Sequence, residues 1–334
     1  LPRSDPHRNS AMRDKVYVGL DIGGTNLKAS LISSGGEVLG RVHRPSPEAA
    51  AGAGKADGGN ADIRTALAAL VESAAEGKPI AGIGIGCAGV LAADRRIILA
   101  SPNLRGFEGF PLRGFLEETF GVPTLLENDA NAIALGEGWR GAGSGARTLV
   151  VVTLGTGVGT GFILDGEVWR GGAGMGGEGG HTTIDPEGPP CRCGNRGCLE
   201  AFVGAYGILR RFRDALASGR SSRLAPGPDP RVKEIADTAR AGDALASDVL
   251  RDTGRYLGVG LANFANLFNP EKIVVTGGVS RAGDAILDPA RDEMKLRAFP
   301  AVTESLEVLP GRLGDDAGPL GAVYPLIGEG QRRT

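Results

Sequence analysis

At 334 residues the chain exceeds the usual size of one domain, so two hydrophobic cores are expected. Its 37 basic and 39 acidic residues leave a formal net charge of -2, and only 5% of the residues are aromatic, so the charge footprint and stacking platforms of a nucleic-acid binder are missing. Small-molecule chemistry is the class that remains.

Leu1 to Ala11 is a polar leader before Met12, without the charged-then-apolar run of a secretion signal. Val16 to Asp21 predicts a buried strand, Gly23-Gly24-Thr25 a turn, Lys28 to Ser33 a second strand and Ser34 to Glu37 another turn, together a hairpin meander. Pro45 to Asn60, rich in Ala, Gly and Pro, predicts a mobile surface loop before an Ala-rich helix from about Asp62 to Glu76. A strand at Ile80 to Gly86, a helix at Leu112 to Phe120, a strand at Thr124 to Glu127 and a helix at Ala130 to Trp139 complete an α/β alternation.

The apolar stretch Thr148 to Leu164 is interrupted by Gly155, Gly157, Gly159 and Gly161, which suits a hairpin and argues against a membrane helix. It repeats the first hairpin in order: strand, Gly/Thr-rich turn, strand, then a Gly-Glu-Val turn at Gly166. An internal duplication is expected, with two related α/β domains around a cleft. Ala201 to Leu216 and Arg231 to Phe268 carry helical patterning, Ser218 to Pro230 is a loop, Ile273 to Thr276 is the last strong strand, and Leu320 to Ile327 is a closing helix that returns to the first domain. The expected domains are 12–126 plus 318–334, and 127–317, with 1–11 left out as leader.

Asp21-Ile22-Gly23-Gly24-Thr25-Asn26-Leu27-Lys28 sets a carboxylate at a strand end, where it can hold Mg²⁺, before two glycines whose bare backbone can approach a phosphate. Gly155-Thr156-Gly157 echoes it, so two loops in matching halves can grip one triphosphate. Neither loop matches a P-loop or opens a helix, which disfavours a dinucleotide-binding dehydrogenase. Gly277-Gly278, after the strand ending at Thr276, offers a side-chain-free surface for a purine. Glu127-Asn128-Asp129-Ala130-Asn131 sits where a strand passes into a helix, and polar residues at such strand ends tend to face a ligand crevice. Asp129 is the candidate to accept a proton from an attacking hydroxyl; helix capping by Asn128 or Asp129 is the competing reading and is compatible with it.

His181, Cys191, Cys193 and Cys198 supply one imidazole and three thiols, the donor set of a closed structural zinc site. The Pro- and Gly-rich residues between them are too poor in apolar side chains to fold by packing. Without a secretion signal the thiols are expected reduced, and the expected location is the cytoplasm. Asn103, Glu178 and Glu200 complete the polar set, the last two placed to be aimed at sugar hydroxyls once the metal loop is ordered.

These motifs resemble the ROK family (repressors, open reading frames, kinases), and within it the bacterial ATP-dependent glucokinases, from about Tyr17 to the C-terminus. The resemblance rests on Asp21 to Lys28, Pro102-Asn103-Leu104, Glu127 to Asn131, Leu154 to Gly161, Gly177 to His181, Cys191 to Glu200 and Gly277-Gly278-Val279. It implies the actin-like ATPase fold, built from two ribonuclease-H-like domains and usually assembled as homodimers or homotetramers. It implies ATP, Mg²⁺ and structural Zn²⁺, with Asp21, Gly23, Gly24, Thr25, Asn26, Lys28, Gly155, Thr156, Gly157, Gly277 and Gly278 serving the nucleotide. By the same resemblance Asp129 is the general base, and Asn103, Asn128, Asp129, Glu178, His181 and Glu200 are hexose ligands, His181 serving both zinc and sugar. The implied reaction is phosphoryl transfer from ATP to the 6-hydroxyl of glucose. N-acetylmannosamine, N-acetylglucosamine, mannose and fructose are alternative substrates, and a sugar-sensing regulator without catalysis is the non-enzyme alternative. The family's repressors carry an N-terminal DNA-binding domain, and the residues before Tyr17 are too few for one; neither nucleic acid nor membrane is an expected partner.

Overall fold

The computed structural model describes residues 15–46, 60–101, 103–224 and 230–332. The leader, most of the expected loop after Pro45 and part of that after Ser218 lie outside the described residues. The chain forms two compact units: Leu1–Ser144 with Arg170–Gly176 and Asp315–Thr334, and Gly145–Trp169 with Gly177–Gly314.

The first unit is built on a five-stranded sheet. β1 (Val16–Ile22), β2 (Asn26–Ser33) and β3 (Val38–Pro45) form an antiparallel meander, and β4 (Ile80–Cys87) and β7 (Thr124–Asn128) continue it parallel to β1, giving the order β3-β2-β1-β4-β7. β1 is buried almost throughout, as a strand flanked on both sides must be, whereas β3 alternates half-buried and exposed residues as an edge strand does. A small hairpin, β5 (Val90–Leu91) and β6 (Ile98–Ala100), follows β4. The helices are α1 (Asn60–Ala75), α2 (Leu112–Phe120) and α3 (Asp129–Arg140). A single core joins Leu20, Ile22, Leu27 and Ile85 of the sheet to Ile63, Leu67 and Leu70 of α1 and to Leu112 and Leu116 of α2.

The second unit repeats the plan. β8 (Leu149–Leu154), β9 (Val158–Leu164) and β10 (Glu167–Val168) form the meander, and β11 (Lys272–Thr276) and β12 (Glu307–Pro310) extend it parallel to β8, in the order β10-β9-β8-β11-β12. Its helices are α4 (Leu199–Val203), α5 (Ala205–Ala217), α6 (Val232–Arg240), α7 (Ala244–Phe268), α8 (Asp284–Arg297) and the short α9 (Pro300–Thr303). α7 and α8 pack closely because Gly254 and Gly258 leave the α7 backbone bare: a Cβ at either would lie 2.4 or 2.6 Å from the carbonyl oxygens of Ile286 or Ala290. The same strand order in both units is the expected duplication, and the fold is the actin-like ATPase fold.

The units divide differently from the expected boundary at 126/127. The closing helix α10 (Ala317–Arg332) packs against α3, β1 and β4, so α3 with Asp129 belongs to the first unit. The contact is too close for a side chain, since a Cβ at Gly136 would lie 2.1 Å from the Ala317 carbonyl oxygen. The sequence pattern shows a helix at 130–139 but not the glycine that lets another helix 180 residues away lie against it. Arg170–Gly176 also joins the first unit, held by the arginine described below. No helix among the described residues is long and apolar enough to cross a membrane.

Candidate active site

In the first unit the polar residues of interest stand at the carboxyl ends of three neighbouring parallel strands. Asp21 and Gly86 are register partners on β1 and β4, and Cys87 on β4 pairs with Asn128 on β7. Cys87 is fully buried there, and its thiol is pushed well up by burial and then by the negative charges of Asp129, Glu127 and Asp21. Three carboxylates thus bear on one strand-end position.

After Asp21 the chain turns through Gly23 and Gly24, the Gly23 amide donating to the Asn26 carbonyl at 3.0 Å. Gly24 admits no side chain because a Cβ would lie 2.4 Å from the backbone oxygen of Asn103, so the turn is brought against Asn103. Lys28, register partner of Asp21, lies 3.6 Å from its carboxylate and 3.5 Å from that of Asp315. Burial raises the Asp21 pKa even so, against the lowering effect of Lys28. The ionised form is therefore under-compensated by the protein alone.

Asn128 caps α3. Its side-chain oxygen accepts from the amides of Ala130 at 3.0 Å and Asn131 at 3.3 Å, and its amide nitrogen donates to the Gly89 carbonyl at 3.3 Å. The cap fixes the first helical residue, Asp129, which is half-buried and accepts the Ala130 amide at 2.9 Å. Glu127, 5% exposed, was not assigned a role from sequence. One oxygen accepts from Arg95 at 2.9 Å and Arg170 at 2.6 Å; the other accepts the Asn128 amide at 3.1 Å and the Asn131 side chain at 3.2 Å. Neither arginine could have been found from sequence, because they lie 32 and 43 residues from their partner in no repeating pattern.

In the second unit the glycine loop between β8 and β9 is closed by Gly155 donating to the Gly157 carbonyl at 2.9 Å, and the Ala205 amide at the start of α5 donates to the Gly155 carbonyl at 3.0 Å. The sequence predicts one helix across 201–216, but Gly204 is extended and divides it, which frees the Ala205 amide for this bond. Thr156 is exposed at the loop tip. Gly277, at φ 95°, sits where a Cβ would be 2.4 Å from the Leu154 carbonyl oxygen, while Gly278 faces open space.

His181 ends a short 3₁₀ turn, Gly179–His181, anchored by the Gly179 amide donating to the Thr160 hydroxyl at 2.8 Å. Gly179 has no room for a larger residue: a Cβ would lie 2.7 Å from the Phe264 ring and 2.8 Å from Thr160 Oγ1. The side chains of His181, Cys191, Cys193 and Cys198 converge, with all four ligand atoms within 4.8 Å of one another. His181 Nδ1 is 3.7 Å from Cys191 Sγ, and Cys193 Sγ is 3.7 Å from Cys198 Sγ. Tetrahedral zinc with ~2.3 Å metal–sulfur bonds sets its sulfurs ~3.8 Å apart, so the donor set and its spacing fit that ion. Burial and the neighbouring thiols push Cys198 up to about 12, whereas the Asn195 backbone amide lowers Cys193.

Glu178 is exposed beside this turn. Glu200 is 8% exposed and already engaged: one oxygen accepts the Val158 amide at 3.0 Å, and the other accepts the Tyr206 hydroxyl at 3.3 Å and lies 3.7 Å from Cys191 Sγ. Burial raises the Tyr206 pKa, which keeps the phenol a donor. Glu200 therefore joins the Cys/His loop to the glycine loop, and a side chain at Gly157 would displace its carboxylate, since a Cβ there would lie 2.4 Å from the Glu200 oxygen.

The chain matches the ROK family over residues 17–327. It is 40% identical over 320 residues to a glucokinase of Halalkalibacterium halodurans, covering 93% of this chain and 94% of that one. It is 35% identical over 309 residues to a glucokinase of Thermotoga maritima, covering 91% and 95%. Among solved structures, a ROK family glucokinase from Streptomyces griseus in complex with glucose and AMPPNP superposes with a TM-score of 0.77 at 34% identity, covering 92% of this chain and 97% of that one.

Proposed function

Because the chain belongs to the ROK family, and is similar over nearly its whole length to glucokinases, we propose that it is an ATP-dependent glucokinase. The single observation that supports this most is the cap of α3, which fixes Asp129 at the end of β7 beside the hydrogen-bonded side chains of Asn128 and Glu127. Asp129 accepts the proton of the glucose 6-hydroxyl as that oxygen attacks the γ-phosphorus in line; the new bond joins oxygen 6 to phosphorus, and the bond to the β-phosphate oxygen breaks to release ADP. Asn103, Asn128, Glu178, His181 and Glu200 orient the hexose. Asn128 contributes chiefly by holding Asp129, since its side chain already serves the cap and the Gly89 carbonyl.

The bare backbone at Gly23 and Gly24 and at Gly155 and Gly157, with Thr25, Asn26, Lys28 and Thr156, receives the triphosphate, and Gly277-Gly278 receives the nucleoside. Asp21 would hold Mg²⁺: partial desolvation raises its carboxyl pKa despite Lys28, and a divalent cation would supply the missing charge. When bound, Mg²⁺ neutralises the charge that develops on the phosphates. His181, Cys191, Cys193 and Cys198 would hold a structural zinc that keeps the loop folded, and His181 Nδ1, the nitrogen facing Cys191, leaves Nε2 for a sugar hydroxyl. We place the enzyme in the cytoplasm, where the thiols stay reduced. It is a homodimer or homotetramer, a reading supported by Leu267, Leu296 and Phe299, large apolar residues exposed near the ends of α7 and α8.

A coupled assay of ADP release across glucose, N-acetylmannosamine, N-acetylglucosamine, mannose and fructose tests the substrate. Glucose is expected to give the highest kcat/KM. A higher value for one of the other sugars reassigns the substrate, and no release with any of them removes the kinase reading.

A further inference from the structure

Glu200 and Cys191 approach more closely than two anions tolerate unaided. A cysteine bound to zinc is a thiolate, and Glu200 Oε1 lies 3.7 Å from the Cys191 sulfur, with both residues buried away from screening water. The Val158 amide serves the other Glu200 oxygen. The Tyr206 hydroxyl lies beside the pair and within reach of both atoms, 3.3 Å from Glu200 Oε1 and 3.6 Å from Cys191 Sγ. The Arg192 guanidinium lies 4.4 Å from the centre of the Tyr206 ring, which steadies the ring by cation–π attraction.

We propose that Tyr206 is a positioning residue that couples the metal site to Glu200, its hydroxyl hydrogen shared between the Cys191 sulfur and the Glu200 carboxylate. The inference rests on the zinc reading above. A hydrogen bond to a coordinating sulfur draws off part of its charge, and the same hydrogen draws off charge from the carboxylate facing it. Groups outside the ligand set act on metal retention in this way. Because the second Glu200 oxygen holds the Val158 amide, a shift of Glu200 also reaches the glycine loop. Tyr206 thus ties metal retention to glucose affinity without touching the reacting atoms.

The test uses the full-length zinc-loaded protein and Tyr206→Phe, which keeps the ring under Arg192. Zinc content is measured first, and zinc release to a chromogenic chelator is then followed by absorbance. Release is expected to be roughly tenfold faster or more from Tyr206→Phe, with weaker glucose binding by calorimetry and a larger change in KM than in kcat. In a Glu200→Gln background the same substitution is expected to have little effect on release, because the repelling charge is gone and the Gln amide can itself donate to the sulfur. Equal release from wild type and Tyr206→Phe, or the same acceleration in both backgrounds, overturns the coupling and leaves the zinc reading standing. A wild-type protein that holds no zinc overturns both, while its glucose kinase activity is judged separately by ADP release.

Discussion

Arg170 Nη2 lies 2.6 Å from the carboxylate of Glu127, and Arg95 Nη1 lies 2.9 Å from the same oxygen. Glu127 immediately precedes Asn128 and Asp129, and its other oxygen holds the Asn128 amide. The backbone that presents the candidate base is thus pinned by a charge-assisted cluster, and the segment beginning at Arg170 is fastened to the same carboxylate.

Replacing Glu127 with Gln removes the buried carboxylate charge that Arg95 and Arg170 both engage, at a cost of about 1–3 kcal/mol for the weakened hydrogen bonds. Urea unfolding is expected to show a loss in that range, together with a lower kcat. A midpoint equal to that of wild type would show that the cluster contributes no stability.

The loop that carries Cys191, Cys193 and Cys198 has Gly194 and Gly197 at positive φ and few apolar side chains, so under the proposed zinc reading the ion is expected to hold its shape. Purified protein is expected to contain about one zinc per chain, and Cys193→Ser, which removes the exposed ligand, is expected to lose both zinc and activity. Fully active wild-type protein found free of zinc by elemental analysis would contradict this.

Asp21 gives a pH-dependent stability effect whose sign follows from its raised pKa. A carboxyl with a higher pKa in the folded than in the unfolded state binds its proton more tightly when folded, so folding loses free energy as pH rises through the folded value. Below the unfolded value, ~3.9, both states are protonated and the effect vanishes. Asp21→Asn is therefore expected to melt higher than wild type at pH 7, with the difference shrinking toward zero below about pH 4, while activity falls. A variant that melts lower than wild type at pH 7 would show that the Lys28 pairing outweighs burial.

Much of this was legible in the sequence because strand and turn chemistry is local. Val16 to Asp21, Leu112 to Phe120 and Ile273 to Thr276 were placed within a residue or so of the observed elements, and the echo between Gly23-Gly24-Thr25 and Gly155-Thr156-Gly157 disclosed the duplication. The cluster of His181, Cys191, Cys193 and Cys198 was legible because three cysteines and a histidine fall close together in the chain. What stayed hidden depends on distant chain segments: the seat of α10 against Gly136, which carries α3 into the first unit, the Arg95 and Arg170 bonds to Glu127, and the Tyr206 hydroxyl. β12 and α8 were also unmarked; β12 is a four-residue edge strand, and α8 contains Pro289. The break at Gly204 was missed because a glycine inside a helical pattern is usually tolerated.

The most direct test of the central claim is the turnover of Asp129→Ala against wild type, measured by ADP release at saturating glucose and ATP and paired with calorimetric glucose binding. Loss of the proton acceptor is expected to lower kcat by about a hundredfold or more, with glucose still bound and the melting temperature close to that of wild type. Near wild-type turnover by the folded variant would contradict the assignment of Asp129 as the base.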